Sequence, residues 1–280
     1  MRKSATLPRA TFVTRCFPIG RYILIAVVLI YVGILLLLPL LAIVQGAFAE
    51  GIVAFLESLN DPEVWRAFWL SILLALGAVL LNGFFGLVIA WVLVRQRFRG
   101  RGIINGLIDL PFAVSPVIAG YMVILLFGRR GWFAEWVAST GFRIVFSLPG
   151  MFLVTVFVSL PFVVREVMPV LEEIGTDSEQ AAFTLGASGW TTFRRVTLPA
   201  IQWGILYGLT LTLARALGEF GAVLVVGGSV QGVTETATLF IFRSMEERQY
   251  IGAYAASLVL GVVSFIVLIG MEILRRRNET

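Results

Sequence analysis

Long, mostly uncharged stretches dominate this chain and limit what it can fold into. Each is about 20 residues or longer, the length that an α-helix needs to cross a bilayer. They lie at 22–44, 67–94, 103–128, 144–164, 200–228 and 251–271. The chain is 59% apolar and 14% charged, which leaves too few polar residues to cover a soluble core. Because a backbone inside lipid must satisfy its own hydrogen bonds, we predict an all-α membrane protein with about six transmembrane helices.

The charges between these stretches predict the orientation of the chain. If all six stretches cross, the loops on the side of the termini carry most of the lysine and arginine. The positive-inside rule then places both termini in the cytoplasm of a multi-pass inner-membrane protein surrounded by lipid. The predicted organisation is a cytoplasmic segment at 1–21, a transmembrane domain at 22–274 with a cytoplasmic loop at 165–199, and a cytoplasmic tail at 275–280.

The residue types that are missing exclude several kinds of chemistry. The chain has no histidine and one cysteine, so a histidine-based catalytic or metal site and an intrachain disulfide are excluded. Lys3, the only lysine, precedes the first apolar stretch, so no P-loop for ATP is present. We therefore expect no enzyme activity, metal or cofactor on this chain. Topology explains the net charge of +5 without a nucleic-acid partner.

The cytoplasmic loop at 165–199 contains a recognisable helix start. Thr176-Asp177-Ser178-Glu179 has the form of a capping box, in which Glu179 closes back on the helix N-terminus. This pattern predicts a short helix that begins near Ser178. Gly186 then either breaks that helix or adopts a positive φ.

Small and apolar residues follow this helix start on one side of the loop. Helical spacing places them in two groups, Ala181, Ala182 and Leu185 before the glycine and Trp190, Phe193 and Val196 after it. Pro199 lies near the start of the fifth stretch, a position that tolerates proline. Two interpretations remain open from the residues alone. The loop either lies on the lipid headgroups or docks against a partner protein.

The fifth stretch carries two charges and a run of small residues. Arg215 and Glu219 are four residues apart and so lie on one face of a helix. The pair is either a structural salt bridge or part of a wet pathway in which Arg215 attracts an anion. Gly204 and Gly208 form a G-x-x-x-G pattern, which allows close helix packing within the chain or against a second membrane subunit.

The third stretch contains two prolines that interrupt a helix. Pro111 and Pro116 each lack a backbone donor and disrupt the preceding turn. The result is either a simple kink or a broken helix whose freed backbone groups, with the Ser115 hydroxyl, contact a small oxyanion. Asp109 would repel an anion, so we expect it to pair with a cation or with helix-end amides.

Part of the cytoplasmic loop resembles a known family motif. EQAAFTLGA followed by FRRVTLP is similar to the EAA loop of ATP-binding-cassette importer permeases, although Gln180 stands where many members have a second acid. The matching residues are Glu179, Ala181, Ala182, Gly186, Ala187, Leu198 and Pro199. The resemblance implies a type I importer (MetI-like) permease fold, in which this loop is a coupling helix. Glu179–Gly186 would meet a separate ATPase chain that binds ATP and Mg, and Trp190, Phe193 and Pro199 would carry its movement into the fifth span.

Further motifs resemble one branch of that family. LPFAVSPVIAGYMVILLFG, LGASGWTTFRRVTLP, ARALGEFGAVLVVGG and TLFIF are similar to the W-type subunit of sulfate/thiosulfate importer permeases. This resemblance implies a T-type second permease, an ATPase dimer and an extracytoplasmic sulfate-binding protein as partners. R-x-L-G-E-F-G also occurs in molybdate permeases, so a molybdate or tungstate permease is an alternative. An ion-coupled secondary carrier that uses Asp109 and Glu219 is a weaker one, because it leaves the EAA-type loop unexplained.

Overall fold

Helices and short connections form the whole described part of the chain in this computed structural model, which describes residues 18–278. The helices are α1 (Pro18–Ala47), α2 (Gly51–Leu59), α3 (Pro62–Arg95), α4 (Arg101–Ala113), α5 (Pro116–Phe127), α6 (Ala134–Thr140), α7 (Leu148–Ile174), α8 (Asp177–Thr184), α9 (Gly189–Thr192), α10 (Leu198–Leu217), α11 (Gly221–Gly227), α12 (Ala237–Glu246) and α13 (Tyr250–Asn278). A π-helical turn, Phe193–Thr197, joins α9 to α10. Residues 18–278 contain no β-strand.

The long helices confirm the predicted number of membrane crossings. Within the described residues, five segments are long and apolar enough to span a bilayer, namely Gly20–Ala47, Pro62–Arg95, Leu148–Ile174, Gly189–Leu217 and Tyr250–Ile273. α4 and α5 form a sixth crossing if the pair, bent by 114°, counts as one broken span. The first of these spans is not buried inside the chain, so its apolar side chains are left for lipid or another subunit.

Small residues allow α3, α7 and α10 to pack closely at the centre. A Cβ on Gly208 would lie 2.8 Å from the Val163 Cα, and one on Gly204 would lie 3.0 Å from the Glu166 carbonyl oxygen. A Cβ on Gly86 of α3 would meet the same Val163 at 2.8 Å. The G-x-x-x-G pattern of α10 therefore packs against α7 of the same chain.

The fifth apolar stretch is not the single helix that the sequence predicted over 200–228. α10 ends at Leu217, and α11 is a separate short helix that packs against α5 and α7. The more polar segment that follows, 229–250, contains α12, whose first turn is largely buried. Hydropathy does not locate this break, because the residues on both sides of Gly218 and Glu219 are mostly apolar and the stretch as a whole still has the length and composition of one span.

Several predicted boundaries also shift. Arg165 was predicted to begin the polar loop, but it lies within α7, which continues to Ile174 before Gly175 adopts a φ of +64°. Charged side chains at the end of a membrane helix mark where the helix leaves the bilayer, not where it ends. The predicted segment 1–21 lies largely outside the described residues, and α1 begins within it at Pro18. α13 continues through most of the predicted tail.

Candidate functional site

The connection between α7 and α10, residues 175–199, forms a compact element that we term the α8–α9 element. α8 ends where Gly186 adopts a φ of +83°, as the sequence predicted. Two backbone bonds close the end of α8, from the Gly186 N–H to the Phe183 carbonyl and from the Ala187 N–H to the Ala182 carbonyl, both at 3.0 Å. Only a residue that tolerates the left-handed region fits at this turn without strain.

The predicted capping box does not form. Thr176 precedes α8, but no side chain caps the helix N-terminus. Glu179 Oε1 instead accepts hydrogen bonds from Arg95 Nη2 at 3.0 Å, from Arg95 Nε at 3.3 Å and from Thr197 Oγ1 at 2.9 Å. A charge-assisted bond to a guanidinium is stronger than a bond to a neutral backbone N–H. Glu179 therefore bonds to Arg95 and not to the N-terminus of α8. Sequence reasoning missed Arg95 because it lies 84 residues before Glu179.

The outer side of the α8–α9 element is apolar and exposed. Leu185 is 89% exposed, and Ala181, one turn earlier on the same face of α8, is also exposed. Phe183 is 51% exposed but lies on another face of α8, where it lines the groove beside α3. The face of α8 that carries Leu185 is therefore uncovered within the described part of the chain and open either to the lipid headgroups or to a partner protein. Leu185 was predicted to share a face with Ala181, but the sequence does not reveal its exposure.

The second half of the element is continuous with the membrane domain. Trp190 stacks on Phe193 with ring centroids 5.8 Å apart. The π-helical turn then leads directly into α10, with Pro199 in its first turn. An apolar groove of about 730 Å³ separates this half from α3. Since no loop interrupts the backbone from Gly189 to Leu217, a displacement of α9 is carried directly into α10.

The Arg215–Glu219 pair lies at the other end of α10. Arg215 Nη1 is 2.7 Å from Glu219 Oε2, and Glu219 is 4% exposed. The second carboxylate oxygen accepts from the Ala222 N–H at 3.0 Å, and Thr238 Oγ1 donates to the Glu219 carbonyl at 2.7 Å. Glu219 therefore joins the end of α10 to the starts of α11 and α12. These contacts favour the structural interpretation of the pair over direct contact with an anion.

The break in the third span lies at Ser115, not at Pro111. Pro111 remains inside α4, whereas Pro116 begins α5. Because proline disfavours helical geometry in the residue before it, Ser115 is extended, with ψ 140°. α11 packs beside this break, since a Cβ on Gly221 would lie 3.5 Å from the Pro116 Cβ. The fold thus brings Ser115 and Pro116 close to the Arg215–Glu219 end of α10.

Asp109 has the cationic partner that the sequence predicted. Arg165 Nε and Nη2 lie 2.7 Å and 2.6 Å from the two Asp109 carboxylate oxygens. The same guanidinium donates to the side-chain and backbone oxygens of Asn105, each at 3.0 Å. This bidentate pair fixes α4 against α7 on the side of the Pro116 break that faces the α8–α9 element.

A second group of charges surrounds Arg243 of α12, which sequence reasoning also missed. Its guanidinium pairs with Glu235 at 2.7 Å, with Glu63 at 2.9 Å and with Glu247 at 2.9 Å. The hydrogen bonds that Arg243 donates to Glu235, followed by the nearby negative charges, raise the pKa of Arg243 above its usual value. The cluster ties α12 to the N-terminal end of α3, on the opposite end of the molecule from the α8–α9 element.

Two features together define a class of protein. The described residues contain five helices long and apolar enough to cross a membrane, together with the sharply bent α4–α5 pair, and an exposed apolar element is built into the connection before α10. This combination is that of a transporter's membrane subunit. A family model described as "Binding-protein-dependent transport system inner membrane component" matches residues 82–280. The chain belongs to this family.

Named relatives extend the match over nearly the whole chain. "Sulfate transport system permease protein CysW" of Synechocystis sp. is 48% identical over 258 residues, covering 92% of this chain and 94% of that protein. "Sulfate transport system permease protein CysT" of Escherichia coli K12 is 38% identical over 249 residues, covering 89% and 90%. The resemblance to the W-type branch is therefore confirmed.

A solved structure shows the same fold at low identity. A bacterial alginate ABC transporter, in complex with an alginate pentasaccharide-bound periplasmic protein, contains a chain that superposes with a TM-score of 0.78. The two chains are 19% identical, and the match covers 92% of this chain and 94% of the other. The predicted importer-permease fold is confirmed.

Proposed function

We propose that this chain is the permease subunit of an ATP-driven importer of sulfate, with thiosulfate as a second substrate. The observation that carries this proposal is the 48% identity to a sulfate transport permease over 92% of the chain. Identity at this level over nearly the whole chain favours a shared substrate class. The chain performs no bond chemistry itself, and ATP and Mg bind to a separate ATPase.

The α8–α9 element is the proposed contact with the ATPase. Leu185 supplies an exposed apolar side chain, and the small Ala181 on the same face allows a partner surface to approach the helix. A short helix laid into a groove is a recurrent mode of recognition in which a few apolar side chains act as anchors. This role places the element, and with it both termini, in the cytoplasm.

The same assembly contains further proposed partners. The relation to both CysW-type and CysT-type proteins supports a T-type second permease, so that the pathway lies between two related chains. The periplasmic protein in the alginate transporter complex supports an extracytoplasmic binding protein, here one that delivers sulfate. An ATPase dimer completes the importer.

The proposed pathway uses the broken span and the end of α10. The Ser115 hydroxyl lies at the break between α4 and α5, where an oxyanion can accept its proton in a hydrogen bond. α11 borders this break and is held by Glu219. When the ATPases move α9, α10 moves with it. The far end of α10 then shifts Glu219 and, through it, α11, which lies beside Pro116. Alternating access then follows from a movement that begins at the opposite end of α10, about 30 Å away.

Reconstituted transport tests this function and its substrate. Radiolabelled sulfate uptake is measured in proteoliposomes that contain this chain, the T-type permease, the ATPase and the sulfate-binding protein. We expect uptake that requires ATP and is reduced by excess unlabelled thiosulfate. Inhibition by molybdate but not by thiosulfate would reassign the substrate, and uptake driven by a proton or sodium gradient alone would overturn the proposal.

A further inference from the structure

A cavity of about 660 Å³ lies between the end of α5, α6 and the segment that precedes α7. It is at the opposite end of the molecule from the α8–α9 element, since it borders the start of α7 and that element follows the end of α7. Because α7 is long and apolar enough to cross a membrane, a cavity beside its first residues lies near a membrane surface. Neither the pathway nor the ATPase contact of the proposed function uses this cavity.

The walls of the cavity and its surroundings are rich in apolar and aromatic side chains. Phe127 and Val137 line it from α5 and α6. Phe127 stacks on Phe133, with ring centroids 5.3 Å apart, and this stack holds the start of α6 against the end of α5. The same connection exposes Trp132 by 88% and Trp136 by 52%. Exposed tryptophans near a membrane surface are typical of a segment that lies in the headgroup layer.

Two arginines bring positive charge to this apolar cavity. Arg129 and Arg143 both line it and are both exposed. Within the described part of the chain, neither guanidinium forms a salt bridge or a hydrogen bond, whereas Arg165 and Arg215 each pair with a carboxylate. A guanidinium without an internal partner is available to an external anion, and its planar set of donors matches a phosphate group.

Bonds within the chain hold the cavity wall in place. Ser147 Oγ donates to the backbone carbonyls of Arg143 and Ile144, at 2.5 Å and 2.8 Å. Phe146, which also lines the cavity, has a φ of +55°, an uncommon conformation for a bulky residue. Its N–H donates to the Val226 carbonyl of α11 at 2.8 Å, which fixes this conformation. The cavity is therefore formed by the chain itself and needs no ligand to shape it.

We propose that this cavity binds one anionic phospholipid. Arg129 and Arg143 bind the phosphate, and part of an acyl chain contacts Phe127, Val137 and Ile144. A free sulfate or phosphate ion would match the two charges but would leave the apolar walls without a partner, whereas a lipid satisfies both. The bound lipid joins the ends of α5, α6 and α7 at the membrane surface. The site does not depend on which substrate the chain transports.

Lipid binding to the full-length chain tests the two arginines. Delipidated protein in detergent is titrated with phosphatidylglycerol, and bound lipid is counted by native mass spectrometry. Arg129→Gln and Arg143→Gln should each weaken binding about fivefold, and the double variant about twenty-fivefold, because each removes one cation from the headgroup site. Wild-type affinity in the double variant would overturn the proposal.

Arg130 provides the matched control for these variants. It is also exposed and is adjacent to Arg129, but it does not line the cavity. Arg130→Gln should therefore bind phosphatidylglycerol like the wild type. An equal loss in Arg130→Gln and Arg129→Gln would overturn the proposal, since the effect would then follow net charge and not this site.

A further pair of variants tests the apolar part of the site and leaves both arginines in place. Ala138 of α6 lines the cavity, whereas the next residue, Ser139, does not. Ala138→Trp should fill the cavity and weaken phosphatidylglycerol binding about tenfold, because the acyl chain loses apolar contacts. Ser139→Trp should bind like the wild type. Wild-type affinity in Ala138→Trp would show that no acyl chain enters the cavity and would overturn the proposal.

Competing ligands distinguish a lipid from other occupants. Phosphatidylcholine has the same phosphate but no net charge, so we expect it to bind more weakly, and an excess of inorganic phosphate or sulfate should not displace phosphatidylglycerol. Displacement by either ion would assign the arginines to a free oxyanion and overturn the proposal. The affinity of the reconstituted importer for its binding protein should be unchanged in the double arginine variant. A loss of that affinity with unchanged lipid binding would identify a protein-docking surface instead.

Discussion

Glu219 shows how a charge is accommodated at the end of a membrane-spanning helix. Its two carboxylate oxygens are used by different partners, one by Arg215 and one by the Ala222 N–H. The carboxylate is almost completely buried, so it depends on both contacts for the solvation that water would provide. The residue therefore holds the end of α10 against the start of α11.

Removing the arginine of this pair should destabilise the contact between α10 and α11. We predict that Arg215→Gln lowers the free energy of unfolding by about 2 kcal/mol, a fall in Tm of about 5 °C, because it leaves a buried carboxylate without its cation. Thermal unfolding in detergent measures this effect. Arg215→Gln with Glu219→Gln should recover part of the loss, since the neutral amide oxygen can still accept from Ala222. A double variant less stable than the single one would contradict this account.

Gly186 is the position in the α8–α9 element where the backbone conformation most restricts the residue type. With φ at +83°, an alanine would pay about 1 kcal/mol for the left-handed conformation, although no neighbouring atom obstructs its Cβ. We predict that Gly186→Ala weakens ATPase binding about fivefold by loosening the end of α8. Titration of the ATPase against the purified permease measures this.

Gly189 provides the matched control for that substitution. It also has open space around its Cβ position, but it lies in α9 with an ordinary φ. Gly189→Ala should leave ATPase binding unchanged. Equal effects of the two substitutions would show that added bulk, not backbone conformation, governs this surface.

The α4–α5 break and α11 form a tightly packed unit at the element scale. A Cβ on Gly120 of α5 would lie 2.6 Å from the Ala222 carbonyl oxygen of α11 and 3.0 Å from the Val225 Cβ. Such distances require the backbones to separate. The broken span is thus fixed to α11 by close backbone contact and cannot move away from it freely.

Substitution of this glycine should separate the two elements. We predict that Gly120→Ala destabilises the protein by about 2 kcal/mol through overpacking, with a fall in Tm of about 5 °C. Gly106→Ala on α4 is the control, because nothing lies within 4 Å of its Cβ position. The packing described for α5 and α11 would be wrong if Gly120→Ala unfolded at the same temperature as Gly106→Ala.

Elements that follow from local sequence could be predicted, and those that depend on distant partners could not. The spans, the extended Ser115 before Pro116 and the turn at Gly186 depend on hydropathy or on backbone preferences within a few residues. The end of α10 near Glu219 depends on partners in α11 and α12, which hydropathy does not reveal. The role of Glu179 depends on Arg95, far away in the sequence, so the local capping-box pattern gave a wrong interpretation.

At the scale of the whole molecule, the two candidate regions lie at opposite ends of α10. The α8–α9 element contacts the start of this helix, and the Arg215–Glu219 pair lies at its end beside the broken span. α3 and α7 run alongside and join the first region through Arg95. The architecture therefore provides rigid connections between the exposed face of the α8–α9 element and the broken span.

Coupling through the outer face of α8 is the central claim of this account. The most direct test is the ATP-dependent uptake of sulfate by the reconstituted importer with Leu185→Ser, compared with Val233→Ser as an exposed apolar control outside α8. We predict that Leu185→Ser weakens ATPase binding about thirtyfold and lowers uptake correspondingly at limiting ATPase, because an anchor residue contributes about 2 kcal/mol. Val233→Ser should transport like the wild type. Wild-type uptake and ATPase affinity in Leu185→Ser would contradict the assignment of this surface.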